Sequence, residues 1–279
     1  MKDETRKSLE ATALDVRRDV IRMVGVAKSG QLASSLSLVD LLVYLYWQEM
    51  KITPSEPVWA ERDRFIMGKR NGCPALYTVL ARRGFFPRNE LWNFRSLGAI
   101  LQHHPQLRRT PGVDAPTGSS GMGLGIANGL ALGLMRRQIS SRVFCLLGDS
   151  ELETGSFWES AANASRLAVR GLVALIDCNF SETSLARGRR SCHDFTETFR
   201  SFGWRVFSVD GHSFPSLEKV FAQGLSDLEG PVAIFVHTCL GKGVTLFEAG
   251  RWPHSEIAPG RDDVEQALKE LNDRSGEGV

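Results

Sequence analysis

An aspartate and an asparagine, Asp149 and Asn179, carry the most specific chemistry in this chain, at a separation of 179 − 149 = 30 residues. Asp149 ends one apolar, β-branched-rich run (143–147), and Asn179 follows another (172–176). A helical stretch, 157–167, lies between the two runs. Strand, helix, strand in that order implies a parallel pair with a right-handed crossover. Both side chains then emerge at the carboxyl edge of one sheet, where open α/β folds bind ligands. Their hard oxygens suit Mg²⁺ or Ca²⁺, and Mg²⁺ usually arrives with phosphate. Taken alone, Asp149 reads as an ordinary helix N-cap after a strand.

The elements that must position this pair follow from periodicity. Two more apolar runs, 205–209 and 232–236, alternate with helical stretches 195–202 and 216–225, and 64–67 reads as a short strand or an extended entry to the GKRNG turn. The expected fold is α/β, a mainly parallel sheet with helices on both faces. Ahead of it, 4–24 has helical periodicity with Leu14, Ile21 and Val24 inward, and Ser37 is placed to cap a helix over 38–47. Pro74 suits the first turn of a helix over 75–83, Gly84 its end, and 91–95 another short helix. The segment 103–120 is rich in Pro, Gly and Thr without a period, as functional loops are. The helix 121–137 carries Gly at 121, 123, 125, 129 and 133, which suits tight intrachain packing or a contact with a subunit or cofactor. A closing helix is expected over 262–271, then a frayed polar tail over about 272–279. With no repeat or linker, 1–279 reads as a single domain.

G-D-x followed by Asn thirty residues later resembles the thiamine-diphosphate motif of the transketolase family. Five further segments resemble that family in its own order: SGQLASSLSLVDLLVYLY, DRFIMGKRNGCPALYTVLARRGFF, LQHHP, TPGVDAPTGSSGMGLGIANGLALG and HTCLGKGVTLFE. The similarity runs from about Arg17 to Leu271. It implies thiamine diphosphate and Mg²⁺ (or Ca²⁺) as cofactors. Asp149, Asn179 and the Ser181 carbonyl would hold the metal, and Gly148, Ser150 and Glu151 would lie against the diphosphate. Gly118, Ser119, Ser120 and Gly121 would form the loop that meets the aminopyrimidine ring. His104 and His254 match members of the family's catalytic histidine cluster, and two departures adjoin them. Gln31 stands where SGH is usual, and Asn71 at the His of KGHG; neither titrates. Ser150 replaces the second Gly of GDG, and Thr154 replaces an acidic residue that links two cofactor sites, with Glu153 displaced by one.

The resemblance also implies a partner. The family's catalytic carboxylate lies in a pyrimidine-binding domain beyond the span that these motifs cover, so a separate C-terminal transketolase-like subunit is expected to supply it in an α2β2 assembly. The reaction implied is transfer of a two-carbon ketol unit from a ketose to an aldehyde or related acceptor. The altered motifs leave one alternative in a catalytically degenerate subunit that only binds a partner. A serine hydrolase is another: GDSEL nearly makes a nucleophile elbow, and Asp210 and His237 follow in hydrolase order, although Leu152 stands where a Gly is needed.

Bulk composition narrows the rest. A net charge of +2 gives no support for nucleic-acid binding, and no run is long enough to span a membrane. Arg187, Arg189 and Arg190 read as a solvated loop or a local anion contact. Five scattered cysteines and a charged N-terminal stretch without an apolar signal core lead to a reduced, cytoplasmic protein as the expectation.

Overall fold

The computed structural model describes residues 1–179, 192–226, 229–248 and 259–274. Five strands form one sheet: β1 (Arg64–Met67), β2 (Val143–Gly148), β3 (Leu172–Cys178), β4 (Arg205–Asp210) and β5 (Val232–His237). They lie in the order β1-β2-β3-β5-β4, and every neighbouring pair is parallel. The helices are α1 (Asp3–Ala27), α2 (Leu32–Leu36), α3 (Val39–Tyr44), α4 (Cys73–Arg83), α5 (Gly123–Arg136), α6 (Gly155–Arg166), α7 (His193–Ser201), α8 (Phe214–Gly224), α9 (Thr245–Glu248) and α10 (Arg261–Arg274). None of them is long and apolar enough to cross a membrane.

The alternation of side chains along each strand divides the core. Phe144, Leu146, Val173, Leu175 and Ile234 point to one face, where α1, α3, α4, α8 and α10 pack. Val143, Cys145, Leu147, Ala174, Ile176 and Phe235 point to the other, against α5, α6 and α7. With both faces covered, β2 and β3 are buried throughout and carry nearly continuous apolar runs. β4, at the edge, is mostly half-buried or exposed.

Several expectations need correction. Ser37 does not cap a helix: its hydroxyl donates to the Ser34 carbonyl, α3 begins at Val39, and a π-helical turn, Leu45–Glu49, follows it. The unexpected α2 fills the segment before it, where the buried Ser35 hydroxyl donates to the Gln31 carbonyl in its own turn. The short helix near 91–95 is a 3₁₀ helix at Arg88–Asn93. The last helix continues to Arg274, past the expected start of a tail. Not all five cysteines are reduced: Cys178 and Cys192 form a disulfide, while Cys73, Cys145 and Cys239 are free. The pair joins the end of β3 to the start of α7 across a Cα–Cα distance of 6.0 Å, within ordinary disulfide reach.

The glycines of α5 divide in role. A Cβ on Gly123 would lie 2.8 Å from the Gly68 Cα, so this end of the helix needs glycine to reach the β1 turn. Gly129 and Gly133 meet nothing within 4 Å.

Candidate active site

β2 and β3 are adjacent and in register, with Gly148 opposite Asp177. Asp149 and Asn179 therefore leave the sheet at the same edge, on strands about 4.8 Å apart. Asp149 opens a 3₁₀ turn, Asp149–Glu153, and its Oδ1 accepts from the Ser150 N–H at 2.6 Å. Asn179 is buried, and its Nδ2 donates to Asp177 Oδ2 at 2.8 Å and lies 3.4 Å from Ser37 Oγ. An ionised carboxylate only accepts, so Asp177 fixes which end of the Asn179 amide faces it. The other end, Oδ1, is buried with no hydrogen-bond partner among the described residues. A buried acceptor without a partner is uncommon and calls for an explanation.

Asp177 holds this geometry. It is fully buried and also accepts from Lys69 Nζ and Thr238 Oγ1. The sequence reading missed all three residues. The available signal was an aspartate inside an otherwise apolar strand, which has to find a buried cation or donor.

A cavity of about 310 Å³ opens over this edge. Asp149, Asn179, Gly148, Ser150 and Glu151 line one side, and Asn71, Gly118 and Ser120 line another, all of them residues singled out from the sequence. Arg70 also lines it and was missed, although it stands inside the KRNG segment compared with KGHG. Ser119, Gln31 and His104 are not on the lining. Ser181, His254 and the arginine cluster at 187–190 lie outside the described residues.

The supporting contacts are specific. Glu151 accepts from the Gly148 N–H at 2.7 Å and the Gly121 N–H at 3.1 Å, so both its oxygens tie the loop 118–121 to the end of β2. Burial raises the Glu151 pKa, against these two bonds. Gly121 has φ +80°, and any Cβ there would fall on Thr154 Oγ1. Thr117 Oγ1 donates to the Met67 carbonyl and anchors the loop to β1. The His104 ring covers Gly118, where an added Cβ would lie 3.4 Å from it. Burial lowers the His104 pKa, and the charges of Arg70 and Arg95 lower it further, so the neutral ring is favoured. Its Nδ1 is buried without a partner among the described residues. Gln31 is buried at the start of α2; the Ser35 hydroxyl is shared between the Gln31 and Asn71 carbonyls, at 2.8 and 3.1 Å, and holds the two turns together.

The residues present fit a divalent ion held with phosphate. Mg²⁺ is commonly bound by one or two protein carboxylates, with phosphate and water completing the shell. Asp149 and the free Asn179 Oδ1 provide a hard donor set of that kind. Among the described residues no cluster of three His, Cys, Asp or Glu could hold a metal, and this mode does not require one. The hydrolase alternative has no matching geometry. β3 separates the strand of Ser150 from that of His237, and His237 Nε2 is hydrogen-bonded to Ser208 Oγ at 2.7 Å.

Comparison with known proteins agrees with this arrangement. The family model for the transketolase thiamine diphosphate binding domain matches residues 10–273. The 6-deoxy-6-sulfo-D-fructose transketolase subunit SqwG of Clostridium sp. is 32% identical over 90% of this chain and 92% of its own length. One subunit of the apulose-4-phosphate transketolase of Phocaeicola vulgatus is 29% identical over 96% of this chain and 95% of its own. The transketolase structure from Campylobacter jejuni superposes with a TM-score of 0.86 at 25% identity, over 99% of this chain but only 43% of that one. The chain thus spans less than half of that transketolase and nearly the whole of each of the two subunits. By its matched residues, this chain belongs to the transketolase family, in the part defined by the thiamine diphosphate binding domain.

Proposed function

We propose that the chain is the diphosphate-binding subunit of a two-subunit transketolase, which moves a two-carbon ketol unit from a ketose to an aldehyde or related acceptor. The observation that carries this reading is the unpartnered Asn179 Oδ1, buried beside Asp149 at the carboxyl edge of β2 and β3. Asp149 and Asn179 would hold Mg²⁺ against the cofactor's diphosphate, with the Ser181 carbonyl as a further donor. The backbone of Gly148 and Ser150 borders the same space. The loop 118–121, braced by Glu151, offers a surface of small residues to a flat ring. When bound, thiamine diphosphate supplies the nucleophilic carbon and the electron sink that C–C cleavage needs. His104, held neutral, is suited to accept a proton from a donor hydroxyl. Gln31 and Asn71 would shape the donor pocket, with His254 as a second proton-handling group.

The near-complete match to two proteins named as subunits supports a complementary chain that brings the pyrimidine-binding domain. Two copies of each under two-fold symmetry would form an α2β2 assembly with two equivalent sites. The test is calorimetric titration of thiamine diphosphate into the co-expressed complex, with Mg²⁺ and then with EDTA, followed by a ketol-transfer assay. The expected result is metal-dependent binding that Asp149→Ala abolishes. Undiminished affinity in that variant overturns the metal assignment, and binding without transfer to any acceptor overturns the catalytic one.

A further inference from the structure

We propose that Arg70 binds oxyanions in this cavity and grips the cofactor's diphosphate directly, beside the metal. The inference rests on the functional reading above and adds a residue to it.

Charge in the cavity leads to Arg70. Among the described residues two cationic side chains line it, Lys69 and Arg70. The Lys69 ammonium is already neutralised by Asp177. The Glu151 carboxylate is occupied by two backbone N–H groups. Arg70 makes no ion pair or side-chain hydrogen bond among the described residues, whereas Arg62, Arg82, Arg88 and Arg142 each reach a carboxylate. A diphosphate brings more negative charge than one divalent ion beside Asp149 can neutralise. A guanidinium, with its planar fork of donors, is the group suited to the remaining oxygens.

Position supports the same conclusion. Arg70 opens the 3₁₀ turn Arg70–Gly72, and the backbone on both sides of it is pinned. The Lys69 N–H donates to the Leu146 carbonyl on β2 at 2.9 Å, and the Asn71 carbonyl accepts from Ser35 Oγ at 3.1 Å. The turn is thus fixed to the strand that delivers Asp149. Arg70 lines the same cavity as Gly118 and Ser120 of the loop 118–121.

The test is titration of inorganic pyrophosphate, and separately of thiamine diphosphate, into the co-expressed complex at constant Mg²⁺. Arg70→Gln should weaken both ligands about ten-fold or more, the usual size of a charge-assisted hydrogen bond. Arg70→Lys should recover part of the loss, because it keeps the charge without the fork. Binding of unphosphorylated thiamine should not change. Equal pyrophosphate affinity in wild type and Arg70→Gln, with unchanged thermal stability, overturns the proposal. So does a variant that keeps pyrophosphate affinity and raises KM only for a phosphorylated donor, which would assign Arg70 to the substrate. Should Arg70→Gln fail to fold, a Lys variant with full wild-type affinity at every salt concentration counts against the diphosphate contact. A wild-type complex that binds neither ligand overturns the functional reading itself, which separates the two failures.

Discussion

Two buried aspartates anchor polar clusters near the carboxyl edge of the sheet, and the clusters end differently. Asp40 accepts both Arg17 terminal nitrogens, at 3.0 and 2.6 Å, and His212 Nδ1 at 2.7 Å. His212 Nε2 accepts the Cys239 N–H at 2.8 Å, so both ring nitrogens are engaged. Arg17 Nε donates to the Lys242 carbonyl at 2.9 Å. That cluster ties α1 and α3 to the turns after β4 and β5 and, among the described residues, leaves no buried side-chain polar atom of Arg17, Asp40 or His212 without a partner. Asp177 gathers Lys69, Thr238 and Asn179 in the same manner, but its cluster ends on the unpartnered Asn179 Oδ1. A closed network needs nothing further and serves as scaffold. A network with one acceptor left over has a place for a ligand, and here the residue that carries it, Asn179, lines the cavity.

The largest effect that would break this contrast belongs to the closed cluster. Asp40→Ala leaves Arg17 buried without its carboxylate, which should cost about 3–5 kcal/mol of stability. Cofactor affinity of the folded variant should stay at the wild-type level. Denaturant unfolding beside titration of thiamine diphosphate would show it, and a large affinity loss without destabilisation would reverse the two assignments. Asn179→Leu should do the opposite. It removes the leftover acceptor while Asp177 keeps Lys69 and Thr238. Stability should change by no more than about 1 kcal/mol, and Mg²⁺-dependent affinity should fall about 10–100-fold. Retained affinity in that variant would make Asn179 one more scaffold residue.

The two clusters also differ in how far they could be read from sequence. Asp149 and Asn179 were legible because each comes within three residues of the end of an apolar run, and the end of a strand fixes where the next side chains go. The runs around β2, β3 and β5 were legible for a related reason, since a strand covered on both faces has to be apolar throughout. Lys69 and Asp177 were not legible: they lie 108 residues apart, and no local period links them. The same holds for the triad of Arg17, Asp40 and His212, whose members sit on three elements. The buried helix α2 was hidden because it is a single short turn with two serines, of which Ser35 bonds back to the Gln31 carbonyl. The Cys178–Cys192 disulfide depends on where the chain returns after β3, which composition does not encode. Arg70 had a weak signal in its motif, and its meaning came from the pairing of Lys69 with Asp177.

The smallest expected effect sharpens the contrast through pH. Burial pushes the Asp40 carboxyl up, but Arg17 and His212 outweigh it and hold the pKa at about 2 against an ordinary 3.8. A depressed carboxylate pKa adds stability above its unfolded value, and that stability is lost as pH falls through the folded one. Asp40 should therefore add about 2 kcal/mol above pH 4, lost progressively as the pH drops toward 2. Asp40→Asn mimics the protonated side chain, so it should be the less stable protein at pH 5, with the gap to wild type narrowing at pH 4 and pH 3. Urea unfolding at those three values measures the gap. A difference that stays constant across them would mean that Asp40 acts through shape and hydrogen bonding alone, and the closed cluster would then lose its ionic character while the comparison with Asn179 Oδ1 would stand on geometry.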